Sequence, residues 1–136
     1  MRKLLFAVIL TVVGISATEA RNISRRCDTL NIVSSHVPSP APVTVVVPEK
    51  YLSPGDTCRY DVVYLLHGYG DDYTGYAKGM PLDSLADLHQ VIFVCPDGLT
   101  SWYWDSPVDT TMQMESYIIH DLLPVVDSRL RTRACR

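Results

Sequence analysis

The residues with the most chemical content fall in a few short stretches. His67-Gly68-Tyr69-Gly70 sets glycines beside an imidazole, and a glycine-rich turn leaves backbone N–H groups free to face an anion. Donors placed in that way stabilise the oxyanion formed when an ester carbonyl is attacked. Trp102-Tyr103-Trp104-Asp105 supplies an aromatic wall. Such a wall either holds an acyl chain, a phenolic acid or a sugar, or folds onto the domain's own core. Asp71-Asp72 fails the D-x-[DN]-x-[DN]-G spacing of a calcium loop and is expected to be a solvated loop. Glu115 lies near the start of a helical pattern, where the helix dipole already accounts for a carboxylate.

Nucleophilic catalysis by serine needs an activated hydroxyl. No serine from Ser16 to Ser128 lies in a G-x-S-x-G elbow. His67 thus has no elbow serine to serve as a base, and the expectation is that His67 and Gly68 shape the loop through backbone hydrogen bonds. His36, His89 and His120 show no ligand spacing and are expected on the surface or on helices. Cys27, Cys58, Cys95 and Cys135 match no zinc pattern, and no metal or cofactor is implied. Oxidised, four cysteines would admit three complete pairings that sequence does not rank. Cys95 sits inside an apolar run and is expected to be a buried, inert thiol.

The elements that must position these residues follow from periodicity. Val62 to Leu66 is a short apolar run that stops at a glycine loop, the pattern of a strand buried on both faces. Val91 to Cys95, closed by Pro96-Asp97-Gly98, is a second such strand. Between them, Pro81 to His89 has a helical apolar face of Leu82, Leu85, Ala86 and Leu88. Strand, helix, strand is a βαβ unit, so these strands should be parallel. Upstream, Leu30–Ser34 and Val43–Val47 read as an antiparallel pair separated by Pro38, Pro40 and Pro42. Downstream, Thr111 to Leu130 is helical, with Met114, Tyr117, Ile118, Leu122 and Val125 on one face and a break expected near Leu123 because of Pro124. A strand should come next in such a series.

The first twenty residues read as a secretory leader. Arg2 and Lys3 are its basic end, Leu4 to Ile15 its apolar stretch, and cleavage is expected after Ala20 or Ala17. The apolar stretch falls short of the roughly 18 to 20 residues that a membrane anchor needs. A secreted or periplasmic location follows, with residues 21–136 as one α/β domain. Cleavage after Ala20 would leave ten basic and fourteen acidic side chains, a net charge of −4 with no basic stripe for nucleic acid. Arg129, Arg131, Arg133 and Arg136 are expected to be a solvated helix end. Asn22-Ile23-Ser24 fits the N-glycosylation pattern, which matters only in a eukaryotic secretory pathway.

Leu65-Leu66-His67-Gly68-Tyr69-Gly70, Val94-Cys95-Pro96-Asp97-Gly98, Ser101-Trp102-Tyr103-Trp104-Asp105-Ser106-Pro107 and Glu115 to Thr132 occur in an order and spacing that resemble one esterase family of α/β-hydrolases. That family includes S-formylglutathione hydrolases, feruloyl and acetyl esterases, tributyrin esterases and mycolyltransferases. The likeness covers nearly all of residues 30–136. It implies a serine carboxylesterase acting on a small-molecule or carbohydrate ester, with Tyr69 and Gly70 N–H groups as oxyanion donors and Trp102, Tyr103, Trp104 and Asp105 against substrate. It also implies that the G-x-S-x-G serine, the acid and the histidine lie beyond Arg136, so the sequence is expected to be a truncated α/β-hydrolase that ends before the nucleophile strand and is inactive alone. The alternatives are a non-catalytic carbohydrate- or lipid-binding fragment and a decayed reading frame. In the family's sheet order, the Val62 strand would then lie at an open edge, prone to self-association.

Overall fold

The computed structural model describes residues 25–134. The expected leader, the Asn22 glycosylation motif, Cys135 and Arg136 lie outside the described residues. Four strands form one sheet in the order β1-β2-β4-β3. β1 (Cys27–Ile32) pairs antiparallel with β2 (Ala41–Val46), and β2 antiparallel with β4 (Val91–Pro96). β3 (Asp61–Tyr64) pairs parallel with β4 at the other end of the sheet, as the βαβ pattern requires. Both strands are displaced toward the N-terminus of their expected ranges, by two or three residues at the start, because their pairing runs from Cys27 with Val46 to Ile32 with Ala41.

Between β3 and β4 lie a short helix α1 (Gly75–Gly79) and α2 (Leu82–His89). Pro81 precedes α2 as its cap residue instead of opening it. The alternation along β4 separates two cores. Ile92 and Val94 join Val43, Val45, Tyr117, Leu122 and Val126 beneath the C-terminal helix, while Phe93 and Cys95 join Val46, Leu82 and Ala86 beneath α2. The result is a three-layer arrangement with β4 at its centre. Burial pushes the Cys95 thiol up to about 12, which keeps it protonated and inert.

The C-terminal helix is not uniform. It begins as α3 (Met114–Ser116), widens into a π-helical stretch over Tyr117–Leu122, and resumes as α4 (Leu123–Arg129). The break expected near Leu123 takes this form: Pro124 has no N–H to give its preceding turn, and the wider winding meets it there.

Among the described residues β3 is the last strand of the sheet, and its burial alternates between exposed and half-buried, not buried on both faces. Its N-terminal end already has a neighbour. Tyr60 N–H donates to Arg131 O (2.8 Å) and Arg133 N–H donates to Tyr60 O (3.0 Å), so Tyr60 and Thr132 form a parallel bridge on the outer side. A groove of about 210 Å3 continues from there between β3 and α4, lined by Val62, Tyr64, Leu123 and Asp127 among others.

Of the arginines expected as a solvated helix end, Arg131 and Arg133 have long-range partners. Arg131 lies 3.9 Å above the Tyr51 ring and donates to Tyr51 O, Cys58 O and Asp56 Oδ2. Arg133 pairs with Asp61 at 2.8 Å. Long-range partners that the sequence spacing does not reveal hold both side chains. The hydrogen bond from Tyr60 is the chief cause that draws the Asp56 carboxyl down to about 2, with Arg131 adding to it.

Candidate active site: a braced turn and an aromatic cleft

β3 ends where the glycine loop begins, and the loop is a tight turn. Asp71 N–H donates to Gly68 O (3.2 Å), which makes Tyr69 and Gly70 its central residues. Gly70 has φ +85°, a left-handed value that a side chain at this corner would resist, and this is why the second glycine is needed. The N–H groups of Tyr69 and Gly70 are not used by the turn's own bond. Among the described residues neither has a hydrogen-bond partner. Tyr69 is 67% exposed, so the turn presents these donors at the surface beyond the C-terminal end of β3.

His67 braces that turn against the neighbouring strand. Its ring is buried, 5% exposed, between the loops that follow β3 and β4. Gly98 N–H donates to His67 Nε2 (2.8 Å), so Nε2 is the acceptor and the ring proton sits on Nδ1, 2.8 Å from Gly68 O. Both nitrogens are therefore committed to backbone, and the ring has no free atom with which to act as a base. Asp97 Oδ1 lies 3.6 Å from Nε2 and accepts Leu99 N–H (2.8 Å).

Gly98 is enclosed from its other side as well. A Cβ there would lie 2.3 Å from the phenol ring of Tyr103. Tyr103 packs against the main core and meets His67 edge-on with ring centroids 5.8 Å apart. The structure thus divides the aromatic stretch. Tyr103, at φ +60°, turns inward, whereas Trp102 and Trp104 are 73% and 62% exposed. Tyr103 is a packing residue of the loop, not part of an open wall. Burial pushes its hydroxyl up to about 12.

Asp105 likewise has a structural partner. Its carboxylate accepts Ser116 N–H (2.9 Å) and Ser116 Oγ–H (2.6 Å), and these bonds pull its pKa below the ordinary carboxylate range. It ties the aromatic loop to α3 instead of facing the cleft. Trp102 stacks on Tyr69, with centroids 5.8 Å apart and planes 22° from parallel, so one exposed indole lies directly beside the turn. Trp102, Trp104, Thr100, Ser106, Asp109 and Met112 line a cleft of about 210 Å3.

The remaining candidates sit elsewhere. Asp71 and Asp72 are exposed, as expected of a solvated loop, and Asp72 accepts the N–H and hydroxyl of Thr74 in an Asx-type turn. Glu115 lies in the first turn of α3. His36 is not a plain surface residue: its Nδ1 lies 2.8 Å from Asp121 Oδ2, which also accepts Ser34 Oγ–H. Ser34, His36 and Asp121 have the side chains of a catalytic triad without its geometry, because the serine donates to the carboxylate and not to the imidazole. Among the described residues no cluster of three or more His, Cys, Asp or Glu could hold a metal ion, Cys27, Cys58 and Cys95 are unpaired, and no helix is long and apolar enough to cross a membrane.

Among solved structures, a ferulic acid esterase superimposes with a TM-score of 0.71 at 21% identity, over 85% of this chain and 47% of its own. The fold is that of part of an α/β-hydrolase. The substrate-bound serine hydrolase FphF of Staphylococcus aureus gives a TM-score of 0.66 at 20% identity, over 78% of this chain and 42% of its own. An S-formylglutathione hydrolase of Agrobacterium tumefaciens gives 0.66 at 18% identity, over 81% and 45%. The chain thus spans less than half the length of each of these three structures. No protein-family model and no curated protein sequence matches it.

Proposed function

We propose that this chain is the N-terminal portion of an exported serine carboxylesterase, and that Tyr69 and Gly70 N–H groups form its oxyanion cradle. The observation that carries this reading is the Gly68–Asp71 turn, whose Tyr69 and Gly70 N–H groups have no partner among the described residues, held to Gly98 by His67. In α/β-hydrolases one oxyanion donor comes from the loop after the third strand and the other follows the nucleophile. Removing one such donor costs about 3 to 4 kcal/mol of transition-state stabilisation. The attacking serine, the acid and the base are assigned to sequence beyond Arg136. The outer side of β3 supports that assignment, since Arg131 to Arg133 already begin a parallel pairing that a further strand would extend. Leader cleavage after Ala20 or Ala17 would place the enzyme in the periplasm or outside the cell. The open edge of β3 is where the chain alone would self-associate.

The test uses p-nitrophenyl acetate and a fluorophosphonate probe on the chain as given and on a version continued by its downstream coding sequence. The given chain should show neither turnover nor labelling, and the continued chain both. Stoichiometric labelling of the given chain would overturn the proposal.

A further inference from the structure

We propose that a pocket at the N-terminal end of β3, the end away from the glycine turn, binds the carboxylate of a small organic acid. The 3-10 turn Glu49–Leu52, the tight turn that follows it and the chain leaving α4 enclose about 340 Å3 there. Tyr51, Ser53, Gly55, Arg129 and Arg131 supply most of the lining. The volume lies at the lower end of the range for small-ligand pockets, about 300 to 1,000 Å3.

Several donors in this lining have no acceptor. Arg131 is occupied only in part. Its Nε and Nη2 donate to Cys58 O, Tyr51 O and Asp56 Oδ2, and the Tyr51 ring supports the guanidinium from 3.9 Å. Its Nη1 has no hydrogen-bond partner among the described residues. Arg129, half-buried at the end of α4, has neither a hydrogen bond nor an ion pair among them. A basic residue suits the C-terminal end of a helix dipole, but the dipole leaves the five N–H donors of this guanidinium without an acceptor. Ser53 and Gly55 add a hydroxyl and a backbone N–H. The turn that holds them is closed by Asp56 N–H donating to Ser53 O (3.1 Å), a bond that uses neither.

Charge decides the ligand class. The Asp56 side chain is 4% exposed, and both its oxygens are committed, Oδ1 to Cys58 N–H and Oδ2 to Tyr60 and Arg131. Asp56 therefore does not confront an anion in the pocket. Two guanidiniums and this one carboxylate leave a single positive charge in the lining. A monoanion balances that charge, whereas a phosphate dianion leaves one negative charge over. The fork of Arg129 matches the two oxygens of a carboxylate. Leu52, 37% exposed beside it, offers apolar surface to the carbon body of the acid.

Nuclear magnetic resonance of the full chain tests this, with acetate, benzoate and, separately, inorganic phosphate added at constant ionic strength. A saturable shift of the Gly55 amide and the Arg129 Nε–H is expected with both carboxylates, tighter for benzoate. Arg129→Gln should weaken acetate binding about tenfold, as the loss of a charge-assisted hydrogen bond requires. That variant should melt with the parent, because Arg129 has no protein partner among the described residues to lose. Ser53→Ala, in an exposed turn, should weaken binding about threefold. No saturable shift with either carboxylate, unchanged affinity in Arg129→Gln, or saturation by phosphate alone would overturn the assignment. The esterase reading is decided separately, by labelling of the continued chain.

Discussion

β3 and β4 are parallel neighbours, both written as apolar runs that end in a glycine loop, yet they occupy opposite situations. Along β4, Ile92 and Val94 are fully buried and Phe93 and Cys95 nearly so, because β2 and β3 flank it and helices cover both faces. Along β3, Val63 is 37% exposed, and the bridge on the outer side among the described residues is that of Tyr60, at its start, with Thr132. Composition alone does not set a strand's burial; its neighbours do. The difference reaches the loops. The β4 loop is filled by Tyr103 and closed over Gly98, whereas the β3 loop keeps its donors open.

Substitutions should separate the two strands sharply. Val94→Asp places an unpaired carboxylate in the centre of the core and should abolish cooperative unfolding, since that cost rivals the whole stability of a domain, about 5 to 15 kcal/mol. Val63→Lys should leave the melting curve within about 0.5 kcal/mol of the parent while reducing self-association in sedimentation velocity. If both variants unfold alike, β3 is no edge.

The brace between the loops should give intermediate effects. His67→Ala leaves the buried Gly98 N–H without its partner and removes one of the two donors to Gly68 O, and should cost about 1 to 3 kcal/mol in urea titrations. Gly98→Ala should cost about 1 to 3 kcal/mol, because the core-packed Tyr103 ring has little room to yield.

Acid titration should give a smaller effect. Asp56 is held down to about 2 in the folded chain, against about 3.9 when unfolded. Its contribution is thus complete above about pH 4 and is lost as pH falls toward 2. Asp56→Asn should flatten that part of the acid-unfolding curve, and melts at pH 4 and pH 2.5 would show it.

The sheet was largely legible in the sequence because β-branched runs and glycine stops are local signals. Val91 to Cys95 and the helix from Leu82 to His89 are found where their periodicity places them. The details of the site were not legible. Nothing local indicates that Tyr103 adopts a left-handed backbone and turns inward between two outward tryptophans. Asp105 stands in the aromatic stretch of the sequence, but its carboxylate bonds Ser116, eleven residues on. Arg131 lies 80 residues from Tyr51, and no spacing rule links them. The short helix Gly75–Gly79 carries glycine at both ends and has no buried residue, so it leaves no amphipathic trace.

Residue-resolved amide exchange tests most directly whether the turn after β3 is an open cradle braced from behind. The account predicts that Gly98 N–H exchanges slowly, sheltered by its bond to the buried His67, while Tyr69 and Gly70 N–H groups exchange at nearly the rate of an unstructured chain. Protection at Tyr69 and Gly70, or rapid exchange at Gly98, would contradict it.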